Sequence, residues 1–265
     1  MTTPDLHGVA RTLLVTLACR AIESVRPDAI LHDSRAVELF QALGGSRDLL
    51  MGMSGHDLFA TVMRSRQFDT IVRAYLLRNP GGLVVDIGCG LDTRFDRLDD
   101  GRICWLGLDL PEVISLRRQF LPDAGRCQTL AQSMLDLSWL EAAAQENKSV
   151  IFLAEGVFPY FSTSDIKPMV MEMMARFPGG ELVFDALSPL MTWFHNWTSS
   201  VLKKTGTRIR WDAKNPAELE GWGLRLLERW GYFDKPEPRL EGANLIRYIP
   251  PLVNATYILH YRLGG

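Results

Sequence analysis

The sequence lacks both a strong net charge and a long apolar run. Its 265 residues contain 29 Lys and Arg against 31 Asp and Glu, which gives a formal net charge of -2. No strong field therefore attracts the chain to nucleic acid or anionic lipid. No apolar run approaches the roughly 20 residues that a membrane-spanning helix needs, and the N-terminal stretch lacks the cleavage pattern of a signal peptide. We expect a cytoplasmic protein with neither a nucleic acid nor a membrane as partner.

Cysteine is also scarce. The four cysteines are scattered along the chain, at Cys19, Cys89, Cys104 and Cys127. They form neither a C-x-x-C pair nor a cluster with histidine at the spacing of metal ligands. We therefore expect reduced thiols and no metal site.

Helical periodicity dominates the first 80 residues. From Leu13 to Leu77 the apolar residues recur at spacings of three and four, with interruptions at Pro27 and at residues 44–46. The segment Asp57–Leu77 predicts a long helix that ends near residues 79–82, because the proline and glycines there cannot continue a helix.

Four short apolar runs then predict buried parallel strands. These runs are Leu83–Ile87, Ile103–Leu108, Val150–Ala154 and Glu181–Phe184. Helix-length segments separate them, so we predict one α/β domain with a Rossmann-like, mostly parallel sheet. Ligands bind beyond the carboxyl ends of such strands. The acids that follow three of the runs fall there, namely Asp109, Glu155 and Asp185.

The helix with the clearest apolar face is predicted over Asp165–Phe177. Its methionine-rich stripe follows the spacing of a buried helix face, and we interpret it as core packing rather than as a cofactor box.

The last third of the chain changes pattern. Trp222–Trp230 is an amphipathic stretch, and Leu245–Ile249 and Ala255–Leu263 predict two strands of an antiparallel edge. Residues 188–221 fit neither pattern, and we interpret them as a lid.

A glycine turn follows the first predicted strand. Gly88 and Gly90 lack the Cβ atoms that would keep a ligand from the backbone. A dinucleotide fingerprint requires a third glycine where this chain has Thr93. Asp92 would repel a pyrophosphate but tolerate a zwitterionic amino-acid tail. The turn therefore favours S-adenosylmethionine over NAD.

Asp109 lies about twenty residues beyond this turn, where an acid can accept hydrogen bonds from ribose hydroxyls. The alternative is an ordinary solvated strand end or a helix cap.

Three sequence strings resemble the leucine carboxyl methyltransferase superfamily, in particular its bacterial branch of tetracenomycin-type polyketide O-methyltransferases. They are V-D-I-G-C-G-L-D-T-R at residues 85–94, D-L-P at 109–111 and A-E-G-V-F-P-Y at 154–160. The similarity extends upstream to Arg20, Arg26–Ala29, His32, Asp33 and Arg64–Arg66.

This resemblance implies a class I fold with S-adenosylmethionine as cofactor. It implies that Arg66 and also Arg20 pair with the cofactor carboxylate, Gly88 lines the methionine tail, Asp109 holds the ribose, Asp136 and Leu137 frame the adenine, and Glu155 lies near the amino group. The remaining predicted cofactor contacts are Asp86, Cys89, Gly90, Asp92, Thr93 and Leu110. Two alternatives stay open: Arg20 as an exposed helix cation, and Asp136 as a cap for the helix before Trp139.

The predicted domain spans residues 1–265. Its parts are a helical N-terminal region (1–80), a cofactor-binding core (81–187), the lid (188–221) and the C-terminal strands (222–265). The segment Phe95–Leu98 departs from the family pattern, and the lid is short, so the acceptor pocket cannot be transferred from the family.

A catalytic base is optional in methyl transfer. A carboxylate acceptor needs none, whereas a phenol with a pKa of about 10 would gain from one. We name His195 and Tyr160 as the candidates, although His195 could simply be packed or exposed. The neighbouring aromatic residues could stack on a flat substrate, or they could form a lid edge or a dimer contact. They are Trp193, Phe194, Trp197 and Trp211.

We therefore predict an O-methyltransferase that acts on a hydroxyl or carboxyl of a small aromatic or polyketide-like molecule. The alternatives are carboxyl methylation of a protein C-terminus and a non-catalytic scaffold that binds S-adenosylmethionine. An NAD dehydrogenase is more distant, because of Asp92 and Thr93.

Overall fold

The computed structural model describes residues 12–50, 52–211, 216–234, 237–240, 248 and 256–264. Its strands are β1 (Leu83–Ile87), β2 (Cys104–Asp109), β3 (Cys127–Ala131), β4 (Val150–Ala154), β5 (Glu181–Leu187), β6 (Leu224–Gly231) and β7 (Thr256–Leu263). They form a seven-stranded sheet in the order β3-β2-β1-β4-β5-β7-β6, which confirms the mostly parallel α/β class.

Helices precede and separate the strands. They are α1 (Thr12–Ser24), α2 (Ser34–Ala42), α3 (Gly55–Arg78), α4 (Arg94–Leu98), α5 (Pro111–Phe120), α6 (Trp139–Gln145), α7 (Thr163–Arg176), α8 (Pro189–Thr198), α9 (Ser200–Thr205) and α10 (Pro216–Glu220). Short 3-10 helices occupy Arg47–Leu50, Phe158–Tyr160 and Pro238–Leu240.

The described residues fall into two compact units. One contains the residues up to Leu153 together with Ser200–Thr207, and the other contains Ala154–Ser199 and the residues from Arg208 onward. The single domain over 1–265 stays a prediction.

The first unit is built on parallel strands. β1 pairs with β2 and β4, and β2 pairs with β3, all in parallel. All five residues of β1 are buried, as its apolar run predicts. The apolar pattern of the sequence does not predict β3, because its residues C-Q-T-L-A are mostly half-buried or exposed at the sheet edge.

The helices that precede β1 agree closely with the helical periodicity of the sequence. α3 begins at Gly55, with Ser54 as its N-cap, and ends at Arg78, just before the glycine-rich break. α1 and α2 flank the interruption at Pro27. α9, which lies in the predicted lid segment, packs on α1 and its neighbours through Val201.

The second unit is antiparallel at its edge. β7 pairs with β5 on one side and with β6 on the other. The strand predicted at Ala255–Leu263 is thus confirmed as β7. Within the described residues its partner at the sheet edge is β6, which lies in the stretch Trp222–Trp230 that the sequence pattern shows only as amphipathic. The predicted strand Leu245–Ile249 lies outside the described residues except for Tyr248.

Two further features of this unit bear on the predictions. Asp185 lies inside β5 rather than after it, because the strand runs on to Leu187. The methionine stripe of α7 is core, as expected, since Met169, Val170 and Met173 are buried.

The described helices contain none that is both long and apolar enough to cross a membrane. The same residues hold no group of three or more His, Cys, Asp or Glu side chains arranged for a metal ion.

Candidate cofactor and catalytic site

The glycine turn after β1 is fixed to the end of β2. The amides of Gly88 and Cys89 donate to the carbonyl oxygen of Leu108 at 2.7 and 3.1 Å. Gly88 and Gly90 have φ values of +69° and +45°, in the left-handed region that favours glycine. A Cβ atom on Gly90 would lie 3.2 Å from the Cβ of Leu13 in α1. The missing Cβ of Gly90 therefore makes room for α1, and contact of its backbone with a ligand stays a prediction.

Asp109 faces this turn. Its Oδ2 accepts a hydrogen bond from the Gly90 amide at 2.8 Å, and its Oδ1 accepts one from the Leu110 amide at 2.7 Å. Burial raises the pKa of Asp109, although both amide hydrogen bonds oppose this effect. The structure thus brings the acid to the turn, while its contact with a ribose stays a prediction.

Arg20 is buried in α1. Its Nε donates to Asp33 at 3.1 Å, and its Nη2 donates to the carbonyl oxygen of Leu91 at 2.8 Å. The alternative of an exposed helix cation is therefore wrong. Two of its nitrogens bind the protein, and Arg66 in α3 is half-buried. The pairing of either arginine with the cofactor carboxylate stays a prediction.

Asp92 faces arginines rather than open space. It accepts hydrogen bonds from the amide and the guanidinium of Arg94, and Nη1 of Arg97 lies 3.6 Å away. Burial alone would raise the pKa of Asp92, but the two guanidinium groups outweigh it and hold the pKa well below its usual range. The expected repulsion of a pyrophosphate by Asp92 is weaker than predicted, because its charge is neutralised.

Thr93 joins the same buried charge cluster. Its hydroxyl donates to Asp33 at 2.6 Å and accepts from Arg97 at 3.0 Å. Asp69 in α3 accepts from Nε of Arg94 at 2.6 Å, and from Nε and Nη2 of Arg97 at 2.9 and 3.0 Å. The Thr93 hydroxyl therefore connects the turn to the N-terminal helices, and contact of the Thr93 backbone with the cofactor stays a prediction.

The charge cluster is balanced, with three arginines and three aspartates: Arg20, Arg94, Arg97, Asp33, Asp69 and Asp92. The sequence pattern does not predict the roles of Asp33, Asp69 and Arg97. Asp33 lay within the stretch of family resemblance, but Asp69 and Arg97 carried no signal, because their partners are distant in sequence. Arg97 belongs to the segment 95–98 that departs from the family pattern.

Cys89 and Asp86 have buried side chains. The Cys89 sulfur would lie 2.9 Å from a Cβ atom placed on Gly107, so the thiol packs against β2. Burial raises the pKa of this thiol well above its usual value. Only the backbone of Cys89 is therefore placed to serve a cofactor.

The predicted adenine residues lie beyond β3. The side chain of Asp136 accepts from the amide and hydroxyl of Ser138 at 3.2 and 2.9 Å, and Ser138 is the N-cap of α6. Asp136 thus forms a local turn with Ser138 and is not itself the helix cap that the alternative interpretation expected. Leu137 is half-buried, and Leu110 is exposed at the start of α5.

The second unit contains the remaining predicted residues. Glu155 follows β4 and is half-buried, and the amide of the next residue, Gly156, donates to Asp185. His195 in α8 and Tyr160 in a 3-10 helix are also half-buried.

One connecting segment binds the neighbours of both base candidates. Asn196 exchanges two hydrogen bonds of 2.9 Å with the backbone of Ile209. The amides of Arg210 and Trp211 donate to the carbonyl oxygen of Pro159 at 2.7 and 3.2 Å. Residues 209–211 thus connect the helix of His195 with the turn of Tyr160.

The aromatic residues of the lid separate into two groups. Trp193, Phe194 and Trp197 are exposed on α8, and the two tryptophan rings stack at 6.1 Å between centroids. Trp211 is buried against Phe158 and Phe184 instead. The expectation of one four-membered cluster is wrong, because Trp211 belongs to the core.

The comparisons with known proteins now decide the family. The model of the leucine carboxyl methyltransferase family matches residues 13–174. The chain belongs to this family. It is 30% identical to the tetracenomycin polyketide synthesis O-methyltransferase TcmP of Streptomyces glaucescens, over 97% of each chain.

A second relative agrees with the assignment, and one solved structure is similar in fold alone. The S-adenosyl-L-methionine-dependent methyltransferase dpfgK of Gibberella zeae is 29% identical, over 84% of this chain and 82% of its own. The solved structure of an O-methyltransferase family protein from Burkholderia thailandensis superposes with a TM-score of 0.50 at 13% identity, covering 85% of this chain and 63% of that one. This leucine carboxyl methyltransferase family member is an enzyme that uses S-adenosylmethionine.

The residues present in this family member fit that cofactor. At the turn of Gly88 and Gly90, the Asp109 carboxylate lies against a backbone amide. A phosphate-binding turn would instead place a lysine there. A ribose and an amino-acid tail require a carboxylate beside backbone groups.

Proposed function

We propose that this methyltransferase transfers the methyl group of S-adenosylmethionine to an oxygen of a small aromatic or polyketide-like acceptor. The observation that carries the proposal is the 2.8 Å hydrogen bond that fixes the Asp109 carboxylate at the glycine turn. The similarity to an O-methyltransferase over 97% of both chains supports the choice of oxygen. The small-molecule acceptor and the cytoplasmic location stay predictions.

The cofactor would lie across the turn and the end of β2. Asp109 accepts hydrogen bonds from the ribose hydroxyls, and Gly88 lines the methionine tail. Arg66 pairs with the carboxylate, since a planar guanidinium binds carboxylates through two bonds. Leu110, Asp136 and Leu137 border the adenine.

The enzyme's main contribution is geometric. Transfer from a sulfonium is an in-line displacement, so the protein must hold the acceptor oxygen in line with the methyl carbon and keep water out. For a phenol acceptor we assign the general base to His195, with Tyr160 as second candidate. Residues 209–211 support this assignment, because they bond to the neighbours of both side chains.

Calorimetry tests the cofactor half of the proposal. We expect binding of S-adenosylmethionine but not of NAD. Asp109→Ala should weaken that binding by about 1 to 3 kcal/mol, the scale for unpaired buried polar groups. An unchanged affinity would refute the ribose assignment.

Mass spectrometry tests the acceptor half. Aromatic phenols, aromatic carboxylic acids and a peptide with a free C-terminal leucine are each incubated with the enzyme and cofactor, and a gain of one methyl is sought. We expect methylation in one of the two small-molecule groups only. Methylation of the peptide alone would establish the protein carboxyl methyltransferase instead, and no product in any group would favour the scaffold.

The base is tested with the His195→Gln variant. With a phenol acceptor, kcat should fall on the neutral side of its pH profile and recover at high pH, where the phenol ionises by itself. With a carboxylate acceptor, kcat should not change. An unchanged phenol profile contradicts the role of His195.

A further inference from the structure

Arginine side chains hold a row of backbone carbonyl groups in the glycine turn. Nη1 of Arg117, in α5, donates to the carbonyl oxygens of Gly90 at 3.0 Å and Asp92 at 2.7 Å. Nη2 of Arg20 donates to the carbonyl oxygen of Leu91 at 2.8 Å. Each of three consecutive peptide units is therefore bound by a guanidinium.

Arg117 makes no hydrogen-bonded ion pair with a carboxylate among the described residues, and Asp86 and Asp92 favour its charge only from a longer distance. It is 3% exposed, and its Nε makes no hydrogen bond to the described residues. In that same part of the chain, its hydrogen-bond partners are the two turn carbonyls. A buried cation without a hydrogen-bonded carboxylate is expensive. This cost indicates that Arg117 serves the shape of the turn.

The geometry of the peptide bond shows how. A trans peptide is planar, with its N–H and C=O on opposite sides. When Arg117 holds the carbonyls of Gly90 and Asp92, the N–H groups of Leu91 and Thr93 turn to the opposite side. The same contact fixes Gly90, whose own N–H holds Asp109.

We propose that Arg117 is a positioning residue that sets the turn for the amino-acid tail of S-adenosylmethionine. This inference rests on the proposed function, in which the cofactor lies across the glycine turn and Gly88 lines that tail. It gives Arg117 no contact with the reacting atoms, and Arg20 supports the same turn from α1.

Two ligands separate a positioning role from a structural one. S-adenosylhomocysteine carries the amino-acid tail, whereas 5′-methylthioadenosine has the same nucleoside without the tail's amino and carboxyl groups. Arg117→Met keeps the length of the side chain and removes its donors. Calorimetry should show roughly tenfold weaker binding of S-adenosylhomocysteine, the loss expected for hydrogen bonds to a charged group, and a much smaller change for 5′-methylthioadenosine.

Arg118→Met is the matched control. Arg118 is the next residue of α5, but its guanidinium is partly exposed and binds Asp123 and Thr129 on the other side. Both affinities should stay at the wild-type values. Arg117→Lys keeps one donor group and should recover part of the selective loss, and it provides the test if the methionine variant fails to fold.

The outcomes are distinct. If Arg117 only stabilises the fold, its variants weaken both ligands in proportion, or neither, and the inference is wrong. If Asp109→Ala weakens both ligands while Arg117→Met leaves their ratio unchanged, the proposed site stands and this inference fails. If Asp109→Ala weakens neither ligand, the proposed site itself fails.

Discussion

Asp69 is the residue whose removal should disturb the charge cluster most. It is fully buried and accepts three hydrogen bonds, at 2.6 Å from Arg94 and at 2.9 and 3.0 Å from Arg97. Asp69→Ala leaves three arginines against two aspartates, an uncompensated buried positive charge. Breaking a buried ion pair in this way costs about 3 to 5 kcal/mol. In a chain of this size the loss corresponds to a fall in unfolding temperature on the order of 10 °C.

Urea denaturation of matched variants measures this cost. Asp99→Ala is the control, because Asp99 binds Arg126 through two bonds of 2.6 and 2.7 Å, but at the surface, where ion pairs contribute about 0 to 1 kcal/mol. Asp69→Asn keeps the shape and one acceptor oxygen, so its loss should fall between those of the two alanine variants. If Asp69→Ala lowers the free energy of unfolding no more than Asp99→Ala does, the charge cluster does not hold the N-terminal helices to the glycine turn.

Three further predictions concern side chains outside the charge cluster. Thr192→Val should raise the free energy of unfolding by about 1 kcal/mol, because the buried Thr192 hydroxyl has no hydrogen-bond partner among the described residues; Thr205→Val, which removes a bonded hydroxyl, should lower it in the same thermal scan, and the opposite order would contradict the reasoning. Burial raises the pKa of Asp109 in the folded protein above its value in the unfolded chain. The protonated carboxyl of Asp109 therefore stabilises the folded state at low pH, and this contribution is lost as the pH rises through the pKa of the folded protein. Cofactor binding needs the ionised carboxylate, so the affinity should begin to fall at a higher pH than it would with an ordinary aspartate. In the same titrations, Asp109→Asn should bind the cofactor weakly at every pH. Trp193→Ala combined with Trp197→Ala should raise the KM for an aromatic acceptor and leave cofactor affinity and the unfolding temperature unchanged, since both rings are exposed; an unchanged KM in steady-state assays would assign this face another role.

The sequence predicts those parts of the fold that depend on neighbours along the chain. β1 and its glycine turn are apparent because five buried residues run directly into Gly88. The meeting of Asp109 with the turn is also predictable, because adjacent parallel strands end at one edge. β3 was missed because an edge strand needs no continuous apolar run.

The charge cluster could not be predicted for a different reason. Asp33, Asp69 and Arg97 meet only after three separate helical segments pack on the turn. Each looks like an ordinary surface charge in the sequence, since burial and partner both come from tertiary packing. Trp211 was grouped wrongly for the same reason, because proximity in sequence did not place it beside the exposed rings of α8.

The close approach of Leu13 to Gly90 has a consequence for which substitutions can compensate one another. The atom that an alanine at position 90 would meet is a Cβ, at 3.2 Å, and every residue except glycine carries that atom. Trimming the leucine to a smaller side chain therefore cannot relieve a Gly90→Ala clash, and a glycine in α1 would itself cost about 1 kcal/mol. An alanine at position 90 would therefore require the backbone of α1 to move by a few tenths of an ångström at Leu13, in addition to the strain of a φ of +45°.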